Sequence, residues 1–117
     1  MKLGEIVQAL DLKELTPQVS DNSGADIARG YASDLLSDVL AHAPAGGVLV
    51  TLQVHLNVIA VASHAGLRAV IFSSGRLPDD DIISRAVDEG VSLFVSPADT
   101  FDVVGRLHQL GVKGRTA

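Results

Sequence analysis

Three short apolar runs mark the second half of the chain: Val48-Leu49-Val50-Thr51, Ala69-Val70-Ile71-Phe72-Ser73 and Ser92-Leu93-Phe94-Val95-Ser96. Each is continuous, rich in β-branched residues and bounded by glycine or polar residues. That pattern suits strands buried on both faces of a parallel sheet. Each run is followed by a polar connection, a helical pattern and then a glycine, at Gly66, Gly90 and Gly111. A glycine there can adopt the left-handed conformation that closes a helix. The unit recurs about every 22 residues and reads as a βα series.

The helices carry start signals. Asp79 opens one with Asp80 and Asp81 at the positive end of the dipole and an apolar stripe of Ile82, Ile83, Ala86 and Val87. Asp99 opens another, predicted to place Phe101, Val104, Leu107 and Leu110 on one face. Ser33 is placed to cap a helix over 34–41, striped by Leu35, Leu36, Val39 and Leu40. The segment 57–65 differs, because Val58, Ile59, Ala60, Val61, Ala62 and Ala65 leave almost no polar face. Such a helix needs cover on two sides, from the N-terminal segment or from a second copy of the chain.

The first residues follow another pattern. Leu3, Ile6, Val7 and Leu10 have helical spacing, and 16–20 and 25–31 read as short strands around an Asp21-Asn22-Ser23-Gly24 turn. The expectation is an α/β domain over 1–113, with a mainly parallel sheet of βα units, an N-terminal helix and short antiparallel strands. Lys113 leads into a flexible tail at 114–117.

Composition narrows the picture. Of 117 residues, 47% are hydrophobic but only 3% aromatic, so the core is built from Val, Leu, Ile and Ala. The formal net charge of −5, without a basic cluster, argues against nucleic acid as partner. The absence of cysteine removes disulfides, thiolate catalysis and any cysteine-ligated metal centre of the chain's own. No apolar stretch of about 18 residues exists to span a membrane as a helix. Glu5 falls where a signal peptide needs its apolar core, so the reading is cytoplasmic.

Ligands of parallel sheets bind beyond the carboxyl ends of the strands. Those ends carry Thr51 with Gln53, His55 and Asn57; Ser73, Ser74, Gly75 and Arg76; and Ser96. The Ser73-Ser74-Gly75-Arg76 turn offers hydroxyls, backbone N–H groups and a fixed positive charge, a combination suited to a small anion. Asp79, Asp80 and Asp81 follow closely and oppose a highly charged one. His55 is placed to bind a ligand or to shuttle a proton. His42 and His64 lie near helix ends, and no HxH or HxxxH spacing points to a metal. Dinucleotide, P-loop, nucleophile-elbow and zinc-protease motifs are all absent, so no cofactor is expected and catalysis is disfavoured.

The run Gly30-Tyr31-Ala32-Ser33-Asp34-Leu35-Leu36-Ser37-Asp38-Val39-Leu40, with Val50-Thr51-Leu52-Gln53 and His55-Leu56-Asn57-Val58-Ile59-Ala60-Val61-Ala62, resembles the DRTGG domain family, in particular its small stand-alone members. The N-terminal domain of HPr kinase/phosphorylase looks related. The resemblance implies an accessory, regulatory domain acting with a metabolic or hydrogenase-type redox enzyme. It does not carry the kinase chemistry of multidomain relatives, which lies in a separate P-loop domain. The family-naming string itself is missing, and Leu52-Gln53-Val54-His55 stands in its place. The expected function is a non-catalytic, ligand-sensing or scaffold domain, a homodimer able to bind a nucleotide or another small anion. The alternatives are a small enzyme using His55 as acid/base and a purely structural dimerisation module.

Overall fold

A computed structural model describes residues 1–116. The elements run α1 (Leu3–Ala9), β1 (Lys13–Glu14), a 3-10 segment (Pro17–Gly24), β2 (Gly30–Ala32), α2 (Leu36–His42), β3 (Val48–Thr51), α3 (Leu56–His64), β4 (Ala69–Phe72), α4 (Asp80–Glu89), β5 (Ser92–Val95) and α5 (Thr100–Gln109). The sheet has five strands in the order β1-β5-β4-β3-β2. Strands β2 to β5 are parallel, each beside its successor, and β1 adds to β5 antiparallel at one edge.

The continuous apolar runs are buried on both faces, as their lack of alternation predicts. Val48, Val50, Ala69, Ile71 and Phe94 face a layer made by α1 and α5, where Leu3, Ile6, Val103 and Leu107 meet them. Leu49, Val70, Phe72, Leu93 and Val95 face α2, α3 and α4, where Val39, Val58, Ile59, Ala62, Ile82 and Ala86 meet them. The domain is therefore a helix–sheet–helix sandwich. Gly66, Gly90 and Gly111 all have positive φ, as the helix-stop reading requires.

The N-terminal hairpin is not formed. Pro17 starts a 3-10 segment where the first strand was expected, and the antiparallel edge is built from Lys13 and Glu14 instead. Gly30–Ala32 is a strand, but it lies at the opposite edge and runs parallel to β3. The physical reason is side-chain anchoring. The Asn22 amide donates to Gly90 O (2.9 Å) and Ser92 Oγ (3.1 Å), and Thr16 Oγ1 accepts from Leu93 N–H (2.9 Å). These bonds hold the segment flat against β5 and leave no freedom for a turn.

Helix boundaries also shift. Ser33 Oγ accepts the N–H of Leu35, not of a residue inside the helix, so α2 starts at Leu36. Its single stripe is reduced to Val39 with Leu36 half-buried, while Leu35 and Leu40 point outward. On α5 the predicted face is rotated. Val103 and Leu107 are buried, whereas Phe101 is 86% exposed and Val104 is on the surface. Helix α3 is flanked by α2 and α4, and its outer side is not covered by the N-terminal segment, whose α1 packs on the other face of the sheet. Of the flexible tail expected at 114–117, Ala117 lies outside the described residues, and Gly114 O accepts from Arg29 Nη1.

Candidate functional site

The parallel strands all end on one rim, which brings the Thr51–His55 connection beside the turn after β4, since Thr51 is in register with Phe72. Within this rim most expected ligand groups already have partners. The Thr51 hydroxyl is buried; it donates to Asp34 Oδ1 (2.9 Å) and accepts from Gln53 N–H (3.1 Å). Asp34 Oδ1 also accepts from Leu52 N–H (2.7 Å), and Gln53 Nε2 donates to Asp34 O. Asp34 therefore staples the β2–α2 connection to the end of β3. The sequence reading places Asp34 at the start of the helix over 34–41, and no spacing signal distinguishes that place from this role.

The turn after β4 is similarly occupied. Ser73 Oγ lies 2.6 Å from Thr100 Oγ1, and Ser96 Oγ accepts from Ala98 N–H. The N–H groups of Ser74, Gly75 and Arg76 donate to Ala98 O, Ser96 O and Ser73 O. Ser74 holds a left-handed φ of 58° to make this possible. The backbone groups that a small anion would use are thus committed to joining the β4 and β5 loops. His55 caps α3, its Nδ1 accepting the N–H of Asn57 at 3.1 Å. Gln53, His55, Asn57, Ser74, Gly75 and Arg76 remain exposed, while Thr51, Ser73 and Ser96 do not.

A second region was invisible in the sequence. Between β2 and α5 lies a cavity of about 320 Å³, within the range of small-molecule sites. Val50, Leu107 and Val112 are buried at its base, and Gly30 and Ala32 contribute the strand edge. Gly30 lets Val112 and Val48 pack closely against the strand: a Cβ there would come within 3.3 Å of Val112 Cγ1 and 3.4 Å of Val48 Cγ1. Its polar side chains are Tyr31, His108, Lys113, Arg115 and Thr116, and no carboxylate lines it. Lys113 Nζ lies 3.3 Å from His108 Nδ1 and donates to His108 O. These residues are distant in sequence from Gly30-Tyr31-Ala32, which is why no motif reveals the cavity.

Near the same strand, Tyr31 donates to Asp38 Oδ2 (2.8 Å), and His42 Nδ1 lies 3.0 Å from Asp38 Oδ1. Hydrogen bonds from Tyr31, His42 and Ser33, in that order, hold the Asp38 carboxyl below its ordinary range. The Tyr31 hydroxyl is pushed up, first by its bond to Asp38 and then by partial burial, with Arg115 pulling the other way. Among the described residues no group of three or more His, Asp or Glu side chains is arranged to hold a metal ion. No helix among them is long and apolar enough to cross a membrane.

The architecture defines a class, the small α/β domain with a mostly parallel sheet and helices on both faces. Within that class it matches the CBS and DRTGG domains of the regulatory region of Clostridium perfringens pyrophosphatase, a structure complexed with its activator, diadenosine tetraphosphate. The TM-score is 0.75 at 15% sequence identity, over 92% of this chain and 46% of that one. The chain thus spans about half the length of that structure. At this identity the likeness is one of fold, and the fold is DRTGG-like. No protein-family model matches the sequence, and no curated protein matches it.

Proposed function

We propose that this chain is a non-catalytic regulatory domain that senses a small anionic ligand with an apolar or planar body, a nucleotide being the first candidate. The observation that carries the proposal is the β2–α5 cavity. It combines an apolar base with Lys113, Arg115 and His108 and has no lining carboxylate, in a chain of net charge −5. Its cations attract an anionic head, and its base takes the body. The fold shared with a nucleotide-activated regulatory region supports a sensing role. Coupling to a metabolic or redox enzyme, of hydrogenase type or otherwise, belongs to the same proposal. The enzyme reading is disfavoured because His55 is a helix cap and the Thr51, Ser73 and Ser96 hydroxyls are buried in structural bonds.

The test is amide-shift mapping and calorimetry with AMP, ADP, ATP and acetyl phosphate. Binding should shift residues 30–32 and 112–115. Each of Lys113→Ala and Arg115→Ala should weaken it about ten- to a hundredfold, the loss of one charge-assisted hydrogen bond of roughly 1.5–3 kcal/mol. Shifts confined to 51–57 and 73–76 would instead place the ligand among Gln53, His55, Asn57 and Arg76. No shift with any of the four compounds would refute the sensing role.

Self-association is the second reading, favoured by exposed Leu40 and Ala60 on α2 and α3. Val58 is fully buried within the chain's own core, so it is unavailable to a dimer face. Sedimentation at micromolar concentration separates a dimer from a monomer.

A further inference from the structure

The βα topology sends the first turns of α2, α3, α4 and α5 to the carboxyl rim, and each connection there exposes one large apolar side chain. Leu35 precedes α2, Leu56 opens α3, Leu77 lies between β4 and α4, and Phe101 sits in the first turn of α5. They are 65%, 44%, 57% and 86% exposed. Leu35, Leu77 and Phe101 are the three most exposed large hydrophobics among the described residues. None belongs to either core. Single exposed apolar side chains scattered over a surface need no explanation, but apolar surface gathered in one region marks an interaction site.

Among the charged groups between them, acids outnumber cations. Asp79, Asp80 and Asp81 stand at the start of α4, Asp99 and Asp102 at the start of α5, and Asp34 before α2. No ion pair among the described residues engages any of them. The cations at this end are Arg76 and, on the edge strand opposite Val95, Lys13. First-turn acids complement the helix dipoles, but that role does not explain the exposed leucines and phenylalanine beside them.

We propose that this rim is a docking surface for a segment of another protein that presents apolar side chains flanked by lysine or arginine. Charge complementarity selects that occupant. A second copy meeting rim to rim would set acids against acids, and nucleic acid or an anionic lipid surface would be repelled. The proposal does not rest on the β2–α5 cavity: Phe101 adjoins Val104 and His108 of the cavity wall, but Leu35, Leu56, Leu77 and Phe101 do not line it, and each site is tested by its own probe.

The probes are a helical Leu–Lys peptide, a Leu–Glu peptide of equal apolar content and a Ser–Lys peptide of equal charge, each titrated into labelled protein. The Leu–Lys peptide should shift amides around Leu35, Leu56, Leu77 and Phe101, and its affinity should fall as salt rises. Leu77→Ser with Phe101→Ser should weaken it at least tenfold at unchanged melting temperature, since both side chains are exposed. The Leu–Glu and Ser–Lys peptides should bind at least tenfold more weakly. Equal binding of Leu–Glu or Ser–Lys, Leu–Lys shifts away from the rim, or an unaffected double variant would each overturn the proposal. So would a dimer in sedimentation that the double variant abolishes, because the rim would then be occupied by a second copy.

Discussion

Asn22 is one of the points at which the N-terminal segment is fastened to the sheet, and replacing it gives a measurable test of the fold. Its side-chain amide reaches Gly90 O at 2.9 Å, Ser92 Oγ at 3.1 Å and Arg68 O at 3.3 Å. The amide has only two N–H groups, so the long bond to Arg68 shares a proton with one of the others. Asn22→Ala removes two well-made bonds in a site only 9% exposed and leaves their acceptors without a donor. At about 0.5–1.5 kcal/mol per bond, with a further penalty for the buried acceptors, the loss is roughly 2 kcal/mol. For a domain of this size that lowers the melting temperature by about 8 °C. Asn22→Asp is the sharper test, because a carboxylate has only acceptors and would face two carbonyl oxygens. It should cost about 3 kcal/mol or more at neutral pH. Burial against carbonyls raises the folded pKa of the new acid, so its penalty should shrink as pH falls and its proton becomes a donor. Urea unfolding followed by circular dichroism at neutral and acid pH reads both effects. Either variant within about 0.5 kcal/mol of wild type at neutral pH, or Asn22→Asp no worse than Asn22→Ala, would refute the anchoring argument.

Gly47→Ala should destabilise the domain by about 1–3 kcal/mol in the same assay, because its Cβ would sit 2.7 Å from Arg29 O and 2.9 Å from Pro44 O, both backbone atoms that cannot swing away. Asp38 titrates lower in the folded state than in the unfolded one, so its contribution is complete above the unfolded carboxylate pKa and disappears as pH falls through the folded value. Asp38→Asn should accordingly flatten the acid limb of the stability profile. Tyr31, raised above its ordinary value of 10.0, contributes below that value and loses its contribution as pH rises through the folded pKa. In Asp38→Asn its tyrosinate absorbance should appear at lower pH, and the chain's only tyrosine gives that signal alone.

The parallel core was legible because the runs at Val48, Ala69 and Ser92 are too short for helices and too uniformly apolar for a one-sided sheet. The glycine stops were legible for a stereochemical reason, since few other residues tolerate positive φ. The N-terminal region was not, because Asn22 and Thr16 act through partners on β5 that no local pattern reveals. The face of α5 was misread in part because Phe101 and Val104 fit a helical spacing with Leu107 as well as Val103 does. Only the sheet decides which pair is inside. At the rim, sequence placed Thr51, Ser73 and Ser96 correctly at strand ends. It could not show that Asp34, Thr100 and Ala98 had already taken up their hydrogen bonds. The cavity lay beyond sequence reasoning, since its two walls come from opposite ends of the chain.

The pairing of Lys13 with Val95 also orders events in time. Strands β2 to β5 can assemble stepwise, each strand adding beside the one made before it, through loops that close over short stretches of chain. The edge strand β1 has no such neighbour. Emerging from a ribosome it comes first, yet the surface it needs is the last strand to be made. Strand β1 therefore waits without its sheet partner through most of synthesis, and its docking closes the longest loop between paired strands of the sheet. That closure carries the largest entropic cost of the sheet and places the end of folding at the beginning of the chain.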